Sequence, residues 1–600
     1  MANSSIPKRE DIQEKDKWNL SSLYPTPEAW EEDLKKLEEQ IPPIEKFKGT
    51  LADSAEQLKN CLDFLIQKVD MIEERLGYYA MLRRDENQGN SDSQGRFSRF
   101  MATATKLAAA ASWVSPEIQA VPDETMQSFL ADPLLAEYKI YLNKLLRFKE
   151  YTLSEKEEAL LAQQAEFAMA PQKAFSALTN VDMKFGEVET SNGTVPLTNT
   201  TYGMVMTDPD RSVREKAYKQ FYAVFEGHAH TLSELYNGSV QKDIFNARIR
   251  GYESARGKAL YPDNVPGDVY DNLVKTIHDA LPALHSYYEL KREKLGVDSL
   301  RHYDVYTSLV KDVKTNIPYE EAVKLIGKAL APLGEEYTST ITEGLGGDWV
   351  DRYENEGKRS GAYSAGSYPG KPYILMNYKE NDIRHLFTLA HEGGHSMHSW
   401  YSVKSNPFQH YNYTIFEAEV ASTFNEQLLA DWMLKNRADS PEMKAYLIGK
   451  QIDDTVATIF RQTMFAEYED ITHKMVEAGQ PLTLDSLRSE YRKLLEAYFG
   501  PAMTLEGESD LEGLRIPHFY SSFYVYKYAT GLSAAIALSR RVLEGGDRER
   551  EDYLSFLKSG GSRFPIESLK VAGVDMSRPE PIKSAMEHFS TLVDEFRTLI

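Results

Sequence analysis

The sequence has a single cysteine, no long apolar run and fewer basic than acidic residues. One cysteine among 600 residues, Cys61, excludes an intrachain disulfide and fits a reducing compartment. Because Cys61 lies on the helically spaced apolar stripe Leu58, Cys61, Leu62 and Leu65, we predict a small buried side chain rather than a reactive thiol. No stretch reaches the ~18 uninterrupted apolar residues of a membrane helix, and residues 1–18 contain no apolar signal-peptide core. We therefore expect a cytoplasmic protein.

The charge balance argues against several partners. Lys and Arg number 69 and Asp and Glu 91, which gives a formal net charge of −22. Such a chain is a poor partner for nucleic acid or for an anionic membrane surface. In a cavity the charge would favour cationic or neutral ligands, whereas spread over the surface it would aid solubility; we favour the second. No obligatory protein partner is evident.

Six hundred residues exceed a single hydrophobic core, so we expect at least two domains. Helical patterns dominate from Thr26-Pro27, with a capping box at Ser154 and Glu157, up to a hairpin signal at Asn192-Gly193. Helices resume after Asp208-Pro209. We predict an N-terminal helical domain over residues 1–200 and a catalytic domain over residues 201–600.

The segment HEGGHSMH, His391 to His398, contains the H-E-x-x-H pattern. On a helix beginning near Asn381-Asp382, His391 and His395 lie one turn apart on the same face, so both imidazoles can hold one Zn²⁺. Glu392 is rotated by about 100° from His391 and is placed as a general base. Gly393 and Gly394 weaken a helix by about 1 kcal/mol each, which indicates close backbone approach, by a ligand or by a packed helix.

A β-like stretch rich in glycine and small residues precedes this helix, from Gly361, Ala362 and Tyr363 to about residue 377. A strand beside a catalytic helix is suited to binding an extended peptide by strand addition. The same stretch could equally form a hairpin that only packs against the helix. Both interpretations stay open at the level of sequence.

A third metal ligand is expected downstream, because a catalytic zinc usually has three protein ligands and an open position. In a second predicted helix, Glu419 and Glu426 share one face, while Glu417 lies about 160° away from Glu419. One of the first two would bind the metal and the other would contact a ligand. His398 would strain the tetrahedron as a third ligand on its own helix, so we place it outside the metal shell.

A late aromatic segment, residues 517–531, offers groups that can stabilise an oxyanion. His518 and the tyrosines are candidates, because a phenol or neutral imidazole can donate to a developing negative charge. Tyr520, Tyr524 and Tyr528 recur at i, i+4 and i+8, which predicts one helical face. Such a stripe is more often core packing or pocket wall than catalytic machinery. The acidic, glycine-bearing stretch before it, residues 500–513, suits a loop that can move.

The three segments HEGGHSMH, FEAEVAST and HFYSSFYVYKYATG together resemble the M3 zinc peptidases, the thimet oligopeptidase family, and above all its bacterial oligoendopeptidase F branch. The likeness covers most of the chain, from Trp18-Asn19-Leu20 to Ala572-Gly573-Val574-Asp575. It implies a mainly α, two-part, zincin-like peptidase with a deep central channel and a small antiparallel sheet beside the motif helix. It also implies one Zn²⁺ per chain and an endopeptidase that hydrolyses internal bonds of short peptides by a metal-activated water.

The resemblance also implies roles for individual residues. Metal ligands fall on His391, His395 and Glu419, and the general base on Glu392, with Glu426 as the following acidic residue. The family's later histidine and tyrosine fall on His518 and Tyr528. The sequence departs from the family at Val525, where a tyrosine is expected. Either Tyr524 or Tyr526 compensates, or one hydroxyl is missing.

Two rival functions remain at the level of sequence. A zinc exopeptidase would need a group that holds a free terminus, and no G-x-M-E-N-type signature for an amine is present. A helical peptide-binding scaffold would carry H-E-x-x-H incidentally and would bind no zinc.

Overall fold

The computed structural model describes residues 6–310, 313 and 315–600. It divides into two compact units, each made of three chain segments. The first unit comprises Met1–Thr152, Lys314–Trp432 and Leu538–Gly573; the second comprises Leu153–Val313, Met433–Ala537 and Val574–Ile600. The boundary near residue 200 falls inside the second unit, and the division into residues 1–200 and 201–600 stays a prediction.

Helices make up most of the described chain, as predicted. Up to residue 295 they are α1 (Pro27–Gln40), α2 (Ala55–Leu62), α3 (Met71–Glu86), α4 (Ser91–Ala111), α5 (Val114–Ala120), α6 (Asp123–Ala131), α7 (Lys139–Leu146), α8 (Glu155–Ala168), α9 (Ala170–Ala177), α10 (Asn199–Val205), α11 (Arg211–Gly227), α12 (Ala229–Ile249), α13 (Ala255–Leu260) and α14 (Gly267–Leu295). The later helices are α15 (Tyr319–Ala329), α16 (Glu335–Gly346), α17 (Arg384–Ser405), α18 (Phe408–Tyr411), α19 (Ile415–Asn436), α20 (Pro441–Thr455), α21 (Arg461–Glu477), α22 (Leu484–Phe499), α23 (Tyr526–Glu544), α24 (Asp547–Ser559), α25 (Pro565–Val571) and α26 (Glu580–Leu599).

Local signals in the sequence explain several helix ends. Thr26 caps α1 by accepting a hydrogen bond from the Ala29 amide, with Pro27 in the first turn. Ser154 and Glu157 form the predicted capping box of α8. A π-helical segment, Asp63–Asp70, joins α2 to α3 without interrupting the helix. This long helix carries the helically spaced apolar stripe Leu58, Cys61, Leu62 and Leu65.

The predicted hairpin at Asn192-Gly193 is present in the second unit. Strands β1 (Glu187–Thr190) and β2 (Gly193–Pro196) pair antiparallel, with Thr190 opposite Gly193. Gly193 has a φ of +114°, a conformation that side-chain-bearing residues rarely adopt.

The predicted small sheet beside the motif helix belongs to the first unit. Its strands β3 (Val350–Asp351), β4 (Tyr363–Ala365) and β5 (Tyr373–Leu375) lie in the order β3-β5-β4. The pairing is mixed rather than wholly antiparallel. Strands β4 and β5 are joined by a short connection and pair antiparallel. Strands β3 and β5 are separated by a longer segment, which includes β4, and they pair parallel. This order leaves β4 at the edge.

The core of the first unit joins the N-terminal helices to this sheet. One buried apolar cluster contains Trp30 and Tyr79 together with Tyr373 and Leu375 of β5. Cys61 is fully buried in the same cluster, which confirms its predicted packing role. Within the described residues, no helix combines the length and the apolar composition needed to cross a bilayer.

Candidate metal centre

The H-E-x-x-H pattern lies in the middle of α17, which begins a few residues later than predicted. Asp382 accepts a hydrogen bond from the Arg384 amide at 3.0 Å and so supports the first turn. His391 and His395 are one turn apart, with ring centroids 4.9 Å from each other. The two histidines therefore have the spacing that the sequence predicts for binding one metal ion.

Glu419 of the neighbouring helix α19 completes a group of three possible metal ligands. Its Oε2 lies 3.4 Å from His391 Nε2 and 3.8 Å from His395 Nε2. One ligand atom from each of the three residues lies within 4.8 Å of the others. A tetrahedral ion bound at about 2.1 Å would separate its ligands by roughly 3.4 Å. Both the separations and the two-imidazole, one-carboxylate donor set fit a catalytic zinc ion.

Two consecutive glycines explain how α17 comes so close to its neighbours. A Cβ at Gly394 would lie 2.5 Å from the Ala421 carbonyl oxygen and 2.6 Å from Ser422 Cα, both backbone atoms of α19. A Cβ at Gly393 would meet only side-chain atoms, the nearest being Ile341 Cδ1 at 2.9 Å. The close approach expected at this pair is therefore helix packing, and at Gly394 it brings α19 within reach of the histidines.

Glu426 binds the far side of His391. Its Oε1 lies 2.5 Å from His391 Nδ1, which leaves Nε2 turned towards Glu419. Burial disfavours a charged His391, but the bond with Glu426 and the neighbouring carboxylates outweigh burial and raise the pKa of His391 to about 9. Glu426 therefore orients a ligand, and Glu419 alone of the two glutamates joins the three-residue group.

Glu392 is buried beside this group and faces β4. Burial, with the negative charges of Glu419 and Glu426, raises the pKa of Glu392 to about 7, although His391 opposes the shift. The nearby backbone of Ser364 in β4 also opposes the shift. A carboxyl group whose pKa lies near neutrality is suited to accept and return a proton.

A cavity of about 850 Å³ in the first unit opens onto this site. His395 and Glu419 form part of its wall, together with β4 and one face of α3. Of the predicted substrate-strand residues, Tyr363 lies within β4, whereas Gly361 and Ala362 precede it. Gly361 has a φ of +85°, which turns the backbone out of the extended region and explains why the strand starts later than expected.

Two residues near the motif, His398 and Glu417, are buried and make packing or hydrogen-bond contacts away from the three-ligand group. His398 is 1% exposed and stacks on Tyr413 with ring centroids 3.6 Å apart, outside the three-ligand group. Glu417 is buried and accepts from Thr414 on the other side of α19. Sequence reasoning missed the contribution of α3 and Tyr413 to the cavity wall, and no motif marks them.

The late aromatic segment belongs to the second unit. Its predicted continuous helical face is wrong: α23 begins only at Tyr526, and Phe523 has a φ of +60° that interrupts the helical path. His518 lies with its ring 6.3 Å from that of Tyr528, and Tyr524 lies 5.4 Å from Tyr528. The catalytic roles of His518 and Tyr528, and of Tyr524 or Tyr526 as a substitute, stay predictions.

Comparison with known proteins gives consistent matches. The family model described as peptidase family M3 matches residues 204–588, and that described as oligopeptidase F matches residues 117–185. An oligoendopeptidase F homolog of Borreliella burgdorferi is 41% identical over 98% of this chain and 99% of its own length. Oligopeptidase PepF of Bacillus subtilis is 42% identical over 100% of this chain and 89% of its own. The crystal structure of oligoendopeptidase-F from Enterococcus faecium matches with a TM-score of 0.74 and 34% identity, covering 95% of this chain and 99% of that one.

Proposed function

Because the chain belongs to peptidase family M3 and is a peptidase, we propose that it is a zinc-dependent endopeptidase that hydrolyses internal bonds of short oligopeptides. The observation that carries this proposal is the group His391, His395 and Glu419, with Glu392 buried beside it. His395 and Glu419 of this group line a cavity. Two imidazoles and one carboxylate are the donor set of hydrolytic zinc sites.

The chain's own residues supply binding and proton transfer. A zinc ion held by His391, His395 and Glu419 would acidify a water molecule and polarise the scissile carbonyl. Glu392 takes the proton from the attacking water onto its carboxylate and then delivers it to the leaving amine. Burial makes Glu392 less acidic than an exposed glutamate, which favours uptake of the proton before it is passed on.

We propose that His518 and Tyr528 stabilise the negative charge that develops on the oxygen of the scissile carbonyl. Burial lowers the pKa of His518, so its imidazole is neutral at pH 7 and keeps one N–H as a donor. The proximity of the two rings supports their working together.

The substrate pairs with the edge strand β4. β4 is an edge strand, and Ser364 within it lies near the general base Glu392. A peptide added to that edge places its carbonyl groups beside Glu392. A cavity of about 850 Å³ accommodates a short extended peptide and is far too small for a folded domain, which supports oligopeptides as the substrate class.

The test combines metal analysis with a peptide digest. Wild-type protein should contain about one zinc per chain and cleave internal bonds in a mixed peptide library read by mass spectrometry. Glu392→Gln should retain zinc and lose nearly all turnover; wild-type rates in that variant would disprove the assigned base. Blocking both peptide termini should leave cleavage intact, whereas an exopeptidase would stop. Less than about 0.2 zinc per chain, with no chelator-sensitive hydrolysis, would favour a scaffold.

A further inference from the structure

A buried aspartate at the end of α3 lies directly beneath the edge strand. Asp85 has no exposed surface, although it carries a carboxylate. Its Oδ2 accepts the hydroxyl of Tyr363 at 3.0 Å and Arg359 Nη1 at 3.1 Å. Its Oδ1 accepts Arg84 Nε at 3.0 Å and Nη2 at 2.9 Å. Four donors thus compensate a charge that would otherwise be costly to bury.

Two of the three side chains held by Asp85 belong to the cavity wall. Tyr363 and Arg359 both line the cavity, and the Arg359 guanidinium lies 5.2 Å from the Tyr363 ring centroid. Arg84 lies over the ring of Phe97, another wall residue, at 4.0 Å. The buried carboxylate therefore sits at the centre of a polar cluster whose outer members face the space where a peptide would lie.

The backbone around this cluster is also fastened to α3. The Arg359 amide donates to the Asp85 carbonyl at 3.0 Å, and the Gln88 amide donates to the Gly357 carbonyl at 2.7 Å. Asn355 Nδ2 donates to the Glu86 carbonyl at 3.0 Å. The segment that leads into β4 is thus attached to the end of α3 and the residues after it by these hydrogen bonds. The carboxylate of Asp85 adds a hydrogen bond to the side chain of Tyr363, the first residue of β4.

We propose that Asp85 is a positioning residue for peptide binding: its carboxylate holds Tyr363 and Arg359 and thereby fixes the edge of β4 against which the substrate pairs. The inference rests on the proposed function and names a residue outside the metal centre. The hydroxyl oxygen of Ser364, next to Tyr363, lies 2.9 Å from Ser396 Oγ of α17, the helix that also carries Glu392. A shift of Tyr363 would therefore disturb the strand at the point where it contacts the helix of the general base.

The test compares Asp85→Asn with a matched control. Asp33 is a buried aspartate of the same unit that likewise accepts from a tyrosine, Tyr24 at 3.1 Å, and from an arginine, Arg75, but it does not line the cavity. In zinc-loaded enzyme, Asp85→Asn should raise KM about tenfold with a smaller change in kcat and an unchanged zinc dissociation constant. Asp33→Asn should lower thermal stability and leave KM unchanged.

A binding measurement separates this inference from the proposed function. The dissociation constant of a fluorophore-labelled blocked peptide is measured in zinc-loaded Glu392→Gln protein, with and without Asp85→Asn, and should rise about tenfold. If wild-type protein hydrolyses no peptide but this constant still rises, the proposed function fails and the positioning role stands. If KM and the dissociation constant stay at the parent values, or if Asp33→Asn raises them equally, the positioning role is overturned.

If Asp85→Asn does not fold, a second pair of more conservative variants tests the same proposal. Tyr363→Phe removes one neutral donor from Asp85 and keeps both arginines, and it should raise KM about threefold. Tyr24→Phe makes the same change at Asp33 and should leave KM unaltered. Equal KM values for these two variants would overturn the positioning role as well.

Discussion

Replacing Gly394 by alanine tests whether helix contact sets the metal geometry. The new Cβ would lie 2.5 Å from the Ala421 carbonyl oxygen and 2.6 Å from Ser422 Cα, so α19 would have to retreat by about 1 Å. Overpacking of this kind costs about 1–3 kcal/mol, and alanine recovers about 1 kcal/mol of helix propensity. We expect a net loss of up to about 2 kcal/mol in the free energy of unfolding.

The effect on zinc should be larger than the effect on stability. Metal–ligand distances tolerate about 0.2 Å, so moving Glu419 with α19 should weaken zinc binding at least tenfold. Gly393→Ala is the internal control, since it makes the same chemical change one residue earlier but meets a side-chain atom, Ile341 Cδ1, instead of the backbone of α19. That control should match wild type in zinc affinity and be as stable or slightly more stable.

The free energy of unfolding and the zinc affinity can be measured on the same protein samples. Urea unfolding of metal-free protein gives the free energies, and competition with a chromogenic chelator gives the zinc dissociation constants. If Gly394→Ala and Gly393→Ala agree in both measurements, the contact between α17 and α19 does not determine the position of Glu419.

Three further predictions concern other parts of the site. Glu426→Gln should weaken zinc binding about 10–100-fold in chelator competition, because His391 loses its charged partner; Glu442→Gln, at an exposed position near the start of helix α20, should leave zinc binding unchanged. Tyr528→Phe should lower kcat by about 10²–10³ at unchanged zinc content in steady-state assays, and an effect below about threefold would remove it from the oxyanion site. Burial raises the pKa of Asp70 to about 7, above the ~3.9 of an unfolded chain, so the contribution of Asp70 to stability falls as the pH rises from about 4 to 7. Asp70→Asn should therefore unfold at higher urea than wild type at pH 8, with an advantage that shrinks towards pH 4; a constant difference would contradict the shift.

Features set by local spacing were predictable from the sequence. The relative positions of His391, Glu392 and His395 depend only on the pitch of one helix. The helix caps at Thr26 and Ser154 depend on three or four neighbouring residues. Glu419 required one further assumption, that the next helix turns its acidic face to the first. The structure brings that face to the histidines.

Features set by distant contacts were not predictable. Asp85 lies 278 residues before Tyr363, and nothing in the spacing around either residue indicates their hydrogen bond. The stripe Tyr520, Tyr524 and Tyr528 satisfied the helical period, but the left-handed backbone at Phe523 breaks it. The parallel pairing of β3 with β5 likewise depends on the route of the intervening chain rather than on strand composition.

The construction of the first unit from three separate segments has a consequence for synthesis on the ribosome. The proposed ligands are complete in the nascent chain by residue 419, but the helices that carry them pack against a later segment: Phe424 stacks on Tyr553 at 3.8 Å, and His398 lies 5.1 Å from Phe556. At about 5–20 residues per second, the 141 residues between Trp432 and Gly573 take roughly 7–30 s to translate. A growing polypeptide should therefore acquire its hydrolytic centre only near the end of translation.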